Sequence, residues 1–348
     1  MRRVQSIILR PLAAIYGLIT SLRNLAFDNG WLKSFEFTLP VVVVGNLKVG
    51  GTGKTPMVEY ITNALKKKEY KVGIISRGYK RKTKGFLLAD ESSNAKTIGD
   101  EPYQYYRKWG NEVAVAVGED RAYAIPHLLY EKPETNLIVL DDAYQHRRVQ
   151  PSMLILLTEY SHPFYKDYIL PAGLLRESRQ YAQRADAIVV TKCPGSVDTI
   201  KLQEMTAAIQ QYAPDSPVYF TTVNYASLVS FFDGSNTDLA GKTFIVITGI
   251  ANPKPMIQHL ESIGTVAKHL DYPDHHDYKE KDVHKMVSLL KSNKDAILIT
   301  TEKDAVKLRA FETALGNCDC YYLPIEVKFL DREEEFLDQL QKSVVLSD

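Results

Sequence analysis

The segment Gly50–Thr55, which reads GGTGKT, constrains the fold of this chain more than any other feature. It follows the apolar run Val41–Val44 and precedes the helical pattern Met57–Leu65. An apolar strand, a glycine-rich turn, Gly-Lys-Thr and a helix form the arrangement of a phosphate-binding P-loop in an α/β sheet. Backbone N–H groups of such a loop surround phosphate oxygens. The chain is therefore predicted to bind a nucleoside triphosphate.

Each residue of this loop has an expected contribution. The lysine neutralises the β- and γ-phosphates, and the threonine hydroxyl can ligate Mg²⁺. Lys48 stands where the strict pattern has glycine, so the loop is a variant whose class other motifs must decide. The predicted nucleotide-binding residues are Gly50, Gly51, Thr52, Gly53, Lys54 and Thr55.

The overall charge gives no reason to expect nucleic acid as a partner. The 348 residues include 43 lysines and arginines against 42 aspartates and glutamates, so no net field favours a polyanion. Cys193, Cys318 and Cys320 form neither a disulfide framework nor a C-x-x-C metal motif. This use of cysteine predicts a reducing, cytosolic setting.

The first 35 residues are predicted to form an amphipathic helical segment with a basic edge. At about 100° per residue, small and polar side chains fall in one arc and apolar side chains lie opposite. The polar arc contains Arg3, Ser6, Arg10, Gly17, Ser21 and Asn24, and the apolar face contains Val4, Ile8, Leu12, Ile15, Ile19 and Leu22. Pro11 predicts a kink or two shorter helices.

The helical pattern leaves two roles open for this segment. It lies in the cytoplasmic face of a membrane, or it packs on the core of its own chain. A spanning helix is not expected, because Arg10 and Arg23 bracket only twelve residues. A cleaved signal peptide is not expected either, since no cysteine framework follows and a nucleotide site belongs in the cytosol.

Short apolar runs recur after the P-loop helix, with helical or loop segments between them. Near-continuous β-branched runs indicate strands buried on both faces of a parallel sheet. The runs are Val72–Ile75, Val113–Val117, Leu137–Leu140, Met153–Leu157 and Ala187–Val190. Residues 36–230 are therefore predicted to form a doubly wound, mainly parallel α/β domain.

A turn-rich break at Asp233–Asn236 precedes a second series of such runs. The series consists of Phe244–Thr248, the helical stretch Pro255–Ser262, Ala296–Thr300 and Tyr321–Pro324. It predicts a smaller α/β domain over residues 235–340, joined to the first by a short linker.

Two carboxylates, Asp141 and Asp142, end the apolar stretch Asn136–Asp142. In P-loop proteins an acid at this strand end lies beside the magnesium, although acidic turn residues also occur at strand ends without a catalytic role. Gln145 and His146 follow closely, and two arginines come directly after them. Those arginines hold phosphate or belong to a solvated loop.

A second acidic pair, Asp100 and Glu101, lies in the segment Gly99–Pro102 before the predicted helix Tyr103–Trp109. In the functional interpretation, one carboxylate accepts the proton of an attacking hydroxyl and the other assists a metal. The alternative is ordinary helix N-terminal chemistry, because proline suits the first turn and carboxylates favour the helix dipole.

The segment Asp271–Asp277 is dense in metal-capable side chains. A zinc site is disfavoured, because adjacent histidines point in different directions on any regular backbone. We expect a histidine of this segment to reach the Asp100 carboxylate instead, where it would fix the rotamer and the charge of that carboxylate.

Three further segments carry polar side chains suited to ligands. Ser76–Lys84 is strongly basic with one interleaved aromatic residue, which fits phosphate on a substrate or on lipid better than nucleic acid. Arg176 and Glu177 end a turn that can border a cleft. Thr301–Asp304 follows a predicted strand of the second domain, where α/β ligand sites usually lie.

As a set, these motifs resemble those of the tetraacyldisaccharide 4′-kinase family of lipid A biosynthesis. They run from Gly45 to Lys307 in the family's order and read GN-x-x-VGGTGKTP, SRGY, GDEP, DDAYQH, LPAG-x-LRE, DHH and TEKDAVK. The resemblance implies ATP- and Mg²⁺-dependent transfer of the γ-phosphate to the 4′-hydroxyl of an acylated glucosamine disaccharide 1-phosphate. It also implies two Rossmann-like domains and an N-terminal helix on the cytosolic face of the inner membrane.

The resemblance assigns roles residue by residue. Lys54 and Thr55 would serve ATP and Mg²⁺, Asp100 would be the base, and His275 would be its partner. The metal environment would contain Glu101, Asp141 and Asp142, and the nucleotide and the transferring phosphoryl group would be bordered by Gln145, His146, Arg176 and Glu177. Ala143–Tyr144 and Leu174 depart mildly from the family's usual residues, outside these positions.

An acceptor with four acyl chains cannot diffuse freely in water, so the resemblance favours the membrane role of the N-terminal helix. The basic loop becomes a candidate for binding the acceptor's 1-phosphate or the anionic surface of the bilayer. Its candidate residues are Arg77, Tyr79, Lys80 and Arg81.

The alternative from another class is a membrane-associated P-loop ATPase switch of the partitioning type. Its loop also reads GG-x-GKT, but it carries a signature lysine where Val49 stands, and it lacks a second domain with DHH and TEKD. A guanine-nucleotide switch is disfavoured, because Thr191–Pro194 lacks the aspartate of an N-K-x-D motif. A small-molecule kinase of similar fold remains open and differs only in its acceptor.

Overall fold

The structure is a computed structural model that describes residues 8–237, 240–293, 295–316 and 318–345. It divides into two compact units. The larger unit runs to Val223 and resumes at Val327, and the smaller unit is Asn224–Glu326.

Helices and strands alternate along the chain. The described helices of four or more residues are α1 (Arg10–Asp28), α2 (Lys54–Lys66), α3 (Ala95–Ile98), α4 (Asp100–Trp109), α5 (Arg121–Glu131), α6 (Thr199–Gln210), α7 (Lys254–Ile263), α8 (Glu280–Ser292), α9 (Glu302–Leu308), α10 (Glu312–Leu315) and α11 (Glu333–Val344). The described strands are β1 (Val41–Asn46), β2 (Val72–Ser76), β3 (Leu87–Leu88), β4 (Ala114–Val117), β5 (Leu137–Asp141), β6 (Met153–Glu159), β7 (Ala187–Cys193), β8 (Val218–Tyr225), β9 (Leu228–Ser230), β10 (Asn236–Thr237), β11 (Thr243–Thr248), β12 (Thr265–Asp271), β13 (Ala296–Thr301), β14 (Cys320–Leu323) and β15 (Ile325–Phe329).

The sheet of the larger unit has the order β15-β8-β7-β6-β1-β5-β2-β4-β3. The strands from β8 to β4 in this order pair in parallel, and β3 is antiparallel to β4. Alternate side chains of β1 enter different cores, Val41 and Val43 on one face and Val42 and Val44 on the other. Burial on both faces explains why these strands are almost continuously apolar. The strand order reverses at β1, which is where α/β sheets bind ligands beyond the carboxyl ends of their strands.

The C-terminal segment from Val327 onwards belongs to the larger unit. The sequence patterns had predicted that residues up to 340 belong to the smaller domain. β15 lies next to β8 at the edge of the large sheet. Phe336, Leu340 and Val344 of α11 pack into the same core as Met57 and Ile61 of α2. This association joins residues far apart in the chain, so the local hydrophobic period that identifies α11 as a helix could not reveal its partner.

The sheet of the smaller unit has the order β10-β9-β14-β13-β11-β12. The strands β14, β13, β11 and β12 pair in parallel, whereas β9 and β10 are antiparallel additions. Alternate residues of β11 again enter two cores, with Ile245 and Ile247 on one face and Phe244 and Val246 on the other. This unit is therefore a small α/β fold with its own core.

Helix α1 directs its small and polar residues inwards and its apolar residues to solvent. Ala13, Gly17 and Asn24 are buried, whereas six large apolar side chains are 47–61% exposed: Leu12, Ile15, Leu18, Ile19, Leu22 and Leu25. The helix begins at Arg10, so Pro11 lies in its first turn, where proline is tolerated. The predicted positions Arg3, Val4 and Ser6 lie outside the described residues. None of the helices in the described ranges is long and apolar enough to cross a membrane.

Candidate active site

The glycine-rich loop connects β1 to α2 at the point where the strand order reverses. Gly50 has φ +119° and Gly53 has φ +80°, backbone conformations that side chains other than glycine rarely adopt. The Asn46 side-chain amide donates to Thr52 Oγ1 at 2.7 Å, and Thr191 Oγ1 donates to the Thr52 carbonyl at 2.8 Å. The loop is therefore held from both sides, and α2 begins directly at Lys54.

Lys48, the departure from the strict P-loop pattern, is almost fully buried. Its ammonium lies 3.8 Å from a Glu159 carboxylate oxygen at the end of β6. The adjacent Val49 N–H donates to the Leu174 carbonyl at 2.8 Å, and the Arg176 N–H donates to the Leu47 carbonyl at 2.7 Å. Lys48 thus lies between two backbone hydrogen bonds that hold the Leu170–Glu177 turn against the loop.

Asp142 is the centre of the cationic cluster beside this loop. Arg176 donates to both of its carboxylate oxygens, from Nη1 to Oδ1 at 2.8 Å and from Nη2 to Oδ2 at 3.1 Å. Lys54 Nζ lies 3.6 Å from Oδ1. Burial works to raise the pKa of Asp142, but Lys54 and Arg176 outweigh it and hold the pKa below its usual range. Asp142 is therefore ionised at neutral pH.

Asp141 has the opposite environment. It is 1% exposed, and Ser76 Oγ donates to its Oδ2 at 3.2 Å. Burial, followed by the charges of Glu101 and Asp142, raises its pKa to about 7. Its Oδ1 is buried and has no hydrogen-bond partner among the described residues. A crowded carboxylate with an unused oxygen is a position that a cation would stabilise.

The donor set fits Mg²⁺ better than a metal held by protein ligands alone. No group of three or more His, Cys, Asp or Glu side chains within the described ranges is arranged to hold a metal ion. Mg²⁺ in nucleotide sites uses one or two carboxylates, phosphate oxygens and water. Asp141 with its unused oxygen and Thr55 at the start of α2 meet that requirement.

Arg121 is a member of the site that the sequence did not reveal. It is 4% exposed, and its Nη2 donates to the carbonyls of Asp141 and Asp142 at 3.5 and 3.4 Å. Burial lowers the pKa of its guanidinium to about 10, so it remains charged at neutral pH. Arg121 thus places a positive charge behind the two carboxylates. It lies in no phosphate-binding motif, which is why no sequence signal identified it.

His146 does not face the cluster as a charged group. Its Nε2 accepts a hydrogen bond from the Arg121 N–H at 3.1 Å. Burial and then the positive charge of Arg121 lower its pKa to about 4. The imidazole is therefore neutral at physiological pH, and it supports the Arg121 backbone.

Gln145 and Glu177 form a hydrogen-bonded layer behind Arg176. Gln145 Nε2 donates to the Asn46 carbonyl at 2.9 Å and to Glu177 Oε1 at 3.1 Å. Gln145 Oε1 accepts from Arg176 Nη1 at 3.3 Å. Glu177 also accepts from Arg184 Nη2 at 2.7 Å. The two predicted residues thus connect the end of β1 to the arginine that holds Asp142.

Position 45 requires glycine because the turn after β5 approaches it closely. A Cβ at Gly45 would lie 2.7 Å from both the Cβ and the N of Tyr144. Tyr144 is buried, and its hydroxyl donates to the Tyr181 carbonyl at 2.6 Å. The departure from the family's usual residues at Ala143–Tyr144 therefore fills a packed position outside the polar cluster.

Asp100 and Glu101 are the first two residues of α4. Gly99 precedes them with φ +95°, and a Cβ there would lie 3.2 Å from the Gly78 backbone. Both the positive φ and this contact require glycine. Glu101 is close enough to Asp141 to raise the pKa of that carboxyl. The GDEP motif thus brings the second acidic pair to the same end of the large sheet.

His275 belongs to the smaller unit, where it has φ +60°. Its N–H donates to the Gly249 carbonyl at 3.1 Å, and its Nε2 accepts from Lys303 Nζ at 3.1 Å. Asp304 is fully buried and accepts from the Gly249 N–H and from Thr301 Oγ1, each at 2.8 Å. The TEKD motif therefore organises the loop that carries His275.

The basic segment after β2 is only partly available to a ligand. Arg77, Tyr79 and Lys80 are exposed, whereas the Arg81 side chain is 2% exposed. Its Nη2 donates to Glu119 Oε1 and to the Gly85 carbonyl, each at 2.6 Å. Arg81 thus braces this loop, which differs from its expected use as a surface ligand for phosphate.

Similarity to known proteins covers almost the whole chain. The Tetraacyldisaccharide-1-P 4′-kinase family matches residues 5–345. The tetraacyldisaccharide 4′-kinase of Cytophaga hutchinsonii is 40% identical over 344 residues, covering 97% of this chain and 96% of that protein. The protein of the same name from Flavobacterium johnsoniae is 42% identical over 331 residues, covering 94% of each. The crystal structure of LpxK from Aquifex aeolicus in complex with ATP matches with a TM-score of 0.77 and 30% identity, covering 98% of this chain and 99% of that one.

Proposed function

The chain belongs to the tetraacyldisaccharide 4′-kinase family, and we propose that the cluster around Lys54, Asp142 and Arg176 is where its phosphoryl transfer takes place. The enzyme is an ATP-dependent kinase that phosphorylates the 4′-hydroxyl of tetraacyldisaccharide 1-phosphate, a step of lipid A biosynthesis. The observation that carries the site assignment is the two-point contact of Arg176 with Asp142 beside the P-loop lysine.

The donor half of the reaction is assigned to the larger unit. The N–H groups of the Gly50–Thr55 loop would surround the β- and γ-phosphates, and Lys54 would neutralise their charge. Arg176 would supply a guanidinium to the transferring phosphoryl group. Gln145 contacts this guanidinium directly, and Glu177 in turn accepts a hydrogen bond from Gln145. Positioning and charge stabilisation supply most of the catalysis in phosphoryl transfer.

Thr55 and Asp141 are proposed to hold Mg²⁺, with Asp142 and Glu101 in its environment. The ion, when bound, would neutralise charge on the β- and γ-phosphates. Asp141 is suited to this role because its pKa is raised to about 7, so a nearby cation favours its ionised form. Asp142, already ionised by its two cationic partners, would keep Lys54 directed at the phosphates.

Asp100 is proposed as the group that accepts the proton of the 4′-hydroxyl, with His275 as its partner. In a loose transition state the proton leaves late, so the carboxylate mainly orients the attacking oxygen. The Lys303 ammonium lies within hydrogen-bond distance of His275 Nε2. An ammonium group can only donate, so Nε2 is the acceptor. Because Nε2 accepts this hydrogen bond, Nδ1 is the ring nitrogen that carries a proton here.

Helix α1 is proposed to lie on the cytoplasmic face of the bacterial inner membrane, where the acylated acceptor resides. Its exposed apolar side chains support this proposal, since such a face binds the headgroup–acyl boundary. Arg77, Tyr79 and Lys80 are candidates for the acceptor's 1-phosphate or for the anionic surface. Arg81 would act by bracing their loop.

The proposal is tested by incubating the purified chain with γ-labelled ATP and tetraacyldisaccharide 1-phosphate in detergent micelles. We expect label in the lipid product and its loss in Lys54→Ala, because the β- and γ-phosphates lose their positive partner. The exposed Lys68→Ala, two residues past the end of α2, is the matched control and should retain activity. Label release without acceptor dependence would instead support the ATPase switch.

A further inference from the structure

Asn24 is buried on a helix that is otherwise largely exposed. It is 1% exposed, whereas the next residue, Leu25, is 47% exposed. Its Nδ2 donates to Glu177 Oε2 at 2.7 Å, and its Oδ1 makes no hydrogen bond within the described part of the chain. Burial of a side-chain amide costs free energy that hydrogen bonds must offset. The side chain is thus held at this position by a single strong contact with a carboxylate.

Glu177 connects Asn24 to Gln145, which lies nearer the nucleotide loop. Its side chain is 2% exposed and accepts hydrogen bonds from three donors: Asn24, Gln145 and Arg184. Asn24 is the donor to Oε2, while Gln145 and Arg184 both approach Oε1. Removing the Asn24 amide would leave Oε2 buried without this partner and release the rotamer of Glu177.

The path continues without interruption to the P-loop lysine. Gln145 connects Glu177 to Arg176, and Arg176 holds Asp142 with two bonds. Asp142 lies 3.6 Å from Lys54. Every step is a direct contact between side chains, and all but the last are hydrogen bonds.

The backbone of the helix is fixed by other contacts. The Tyr16 hydroxyl donates to the Arg176 carbonyl at 3.1 Å, and Arg147 Nη1 donates to the Asn24 carbonyl at 2.8 Å. Arg147 Nη2 also pairs with Asp28 at 2.6 Å. Since these contacts already anchor α1, the Asn24 side chain is not needed merely to hold the helix on the protein.

We propose that Asn24 is a positioning residue for phosphoryl transfer, acting through Glu177 and Gln145 on the guanidinium of Arg176. The N-terminal helix is then a structural part of the kinase site in addition to any contact with lipid. This inference rests on the proposed function, because it requires Arg176 to act on the transferring phosphoryl group.

The test compares Asn24→Ala with Asn29→Ala in the full chain, in detergent micelles so that bilayer contact does not vary. Asn29, the residue that follows α1, is a matched control, because it is exposed and its side-chain amide donates to the Leu25 carbonyl of that helix at 2.8 Å. Loss of a hydrogen bond to a charged group predicts a fall in kcat of about 10- to 100-fold for Asn24→Ala. The KM values for ATP and for lipid should change less than about threefold, and Asn29→Ala should match the wild type.

A double-mutant cycle with Glu177→Gln shows whether Asn24 acts through that carboxylate. We expect the double variant to lose little more kcat than Glu177→Gln alone, because the two residues form one path. The inference would be overturned if the loss of kcat in the double variant equals the product of the losses in the two single variants. It would also be overturned if Asn24→Ala has the same kcat as Asn29→Ala. If Asn24→Ala does not fold, Asn24→Ser carries the same expectation, since its shorter hydroxyl does not span the distance to Glu177.

The outcomes for the inference and for the proposed function are distinct. A wild-type chain without acceptor-dependent transfer would refute the function itself. An active wild-type chain whose Asn24 variants lose thermal stability but keep kcat would refute only the positioning role.

Discussion

Arg176 contacts both carboxylate oxygens of Asp142, at 2.8 and 3.1 Å, while Lys54 approaches the same carboxylate to 3.6 Å. The planar fork of a guanidinium suits this two-point contact in a way that an ammonium cannot. Two cations from different parts of the chain are thus held around one anion. In the proposed site, the same two cations would bind phosphate oxygens, which are also anionic.

Replacement of Arg176 by lysine is predicted to lower kcat by about 10- to 100-fold, because the charge remains but the two-point contact is lost. Steady-state kinetics with ATP and the lipid acceptor would measure the change. Arg107→Lys, an exposed position on α4, makes the same chemical change away from the cluster. Equal activity of the two variants would show that the fork geometry is not required.

Asp100→Ala is predicted to lower kcat by about 10²- to 10⁴-fold, the usual cost of removing a positioned base. The Kd for ATP should change little, because Asp100 is assigned to the acceptor's hydroxyl. Nucleotide binding and turnover are measured on the same preparation, with the exposed Asp215→Ala as a control. Near-normal turnover of Asp100→Ala with ATP bound would remove Asp100 from the mechanism.

The buried neutral His146 predicts a specific dependence of stability on pH. Its pKa is lowered to about 4 in the folded chain, against about 6.5 when unfolded, so the unfolded chain binds more protons between these values. The contribution of the neutral His146 to the free energy of unfolding is therefore complete above about pH 6.5, and it is lost as the pH falls towards 4. Relative to His146→Gln, the free energy of unfolding of the wild type should fall by roughly 1–3 kcal/mol over that interval. Urea titrations at a series of pH values would measure it, and parallel curves for the two proteins would contradict it.

The apolar face of α1 is predicted to bind lipid. A chain with Ile15→Ser, Ile19→Ser and Leu22→Ser keeps Asn24 but loses three side chains that are 55–61% exposed. We expect binding to anionic vesicles to weaken at least about tenfold, and the apparent KM for the lipid acceptor to rise more than that for ATP. Tyr130→Ser removes an 84% exposed aromatic side chain elsewhere and is the control. Undiminished sedimentation of the triple variant with vesicles would contradict the membrane role of the helix.

Local sequence patterns predicted the strands of the large sheet well, because buried parallel strands are continuously apolar. The predicted run Leu137–Leu140 corresponds to β5, and Met153–Leu157 lies within β6. The return of α11 to the larger unit was not predictable in this way, since only contacts between distant segments decide it.

The same distinction applies to the site. Lys54 became a candidate because the P-loop motif has fixed spacing, Asp142 because an acidic pair ends an apolar strand, and Arg176 through the LRE motif of the family that the sequence resembles. Arg121 and Asn24 were not identified as site residues, because their place depends on how the turn after β5 and helix α1 pack. The sequence correctly placed Asn24 on the polar arc of its helix, but not against Glu177.

The position of the transferred phosphate tests the central claim most directly. Phosphorus NMR of the lipid product made from tetraacyldisaccharide 1-phosphate and ATP would distinguish a second phosphomonoester from a diphosphate. We predict two monoester signals, one at the original position and a new one coupled to the proton at carbon 4′, formed by the wild type and not by Lys54→Ala. A diphosphate at position 1, or free phosphate with unchanged lipid, would contradict the account.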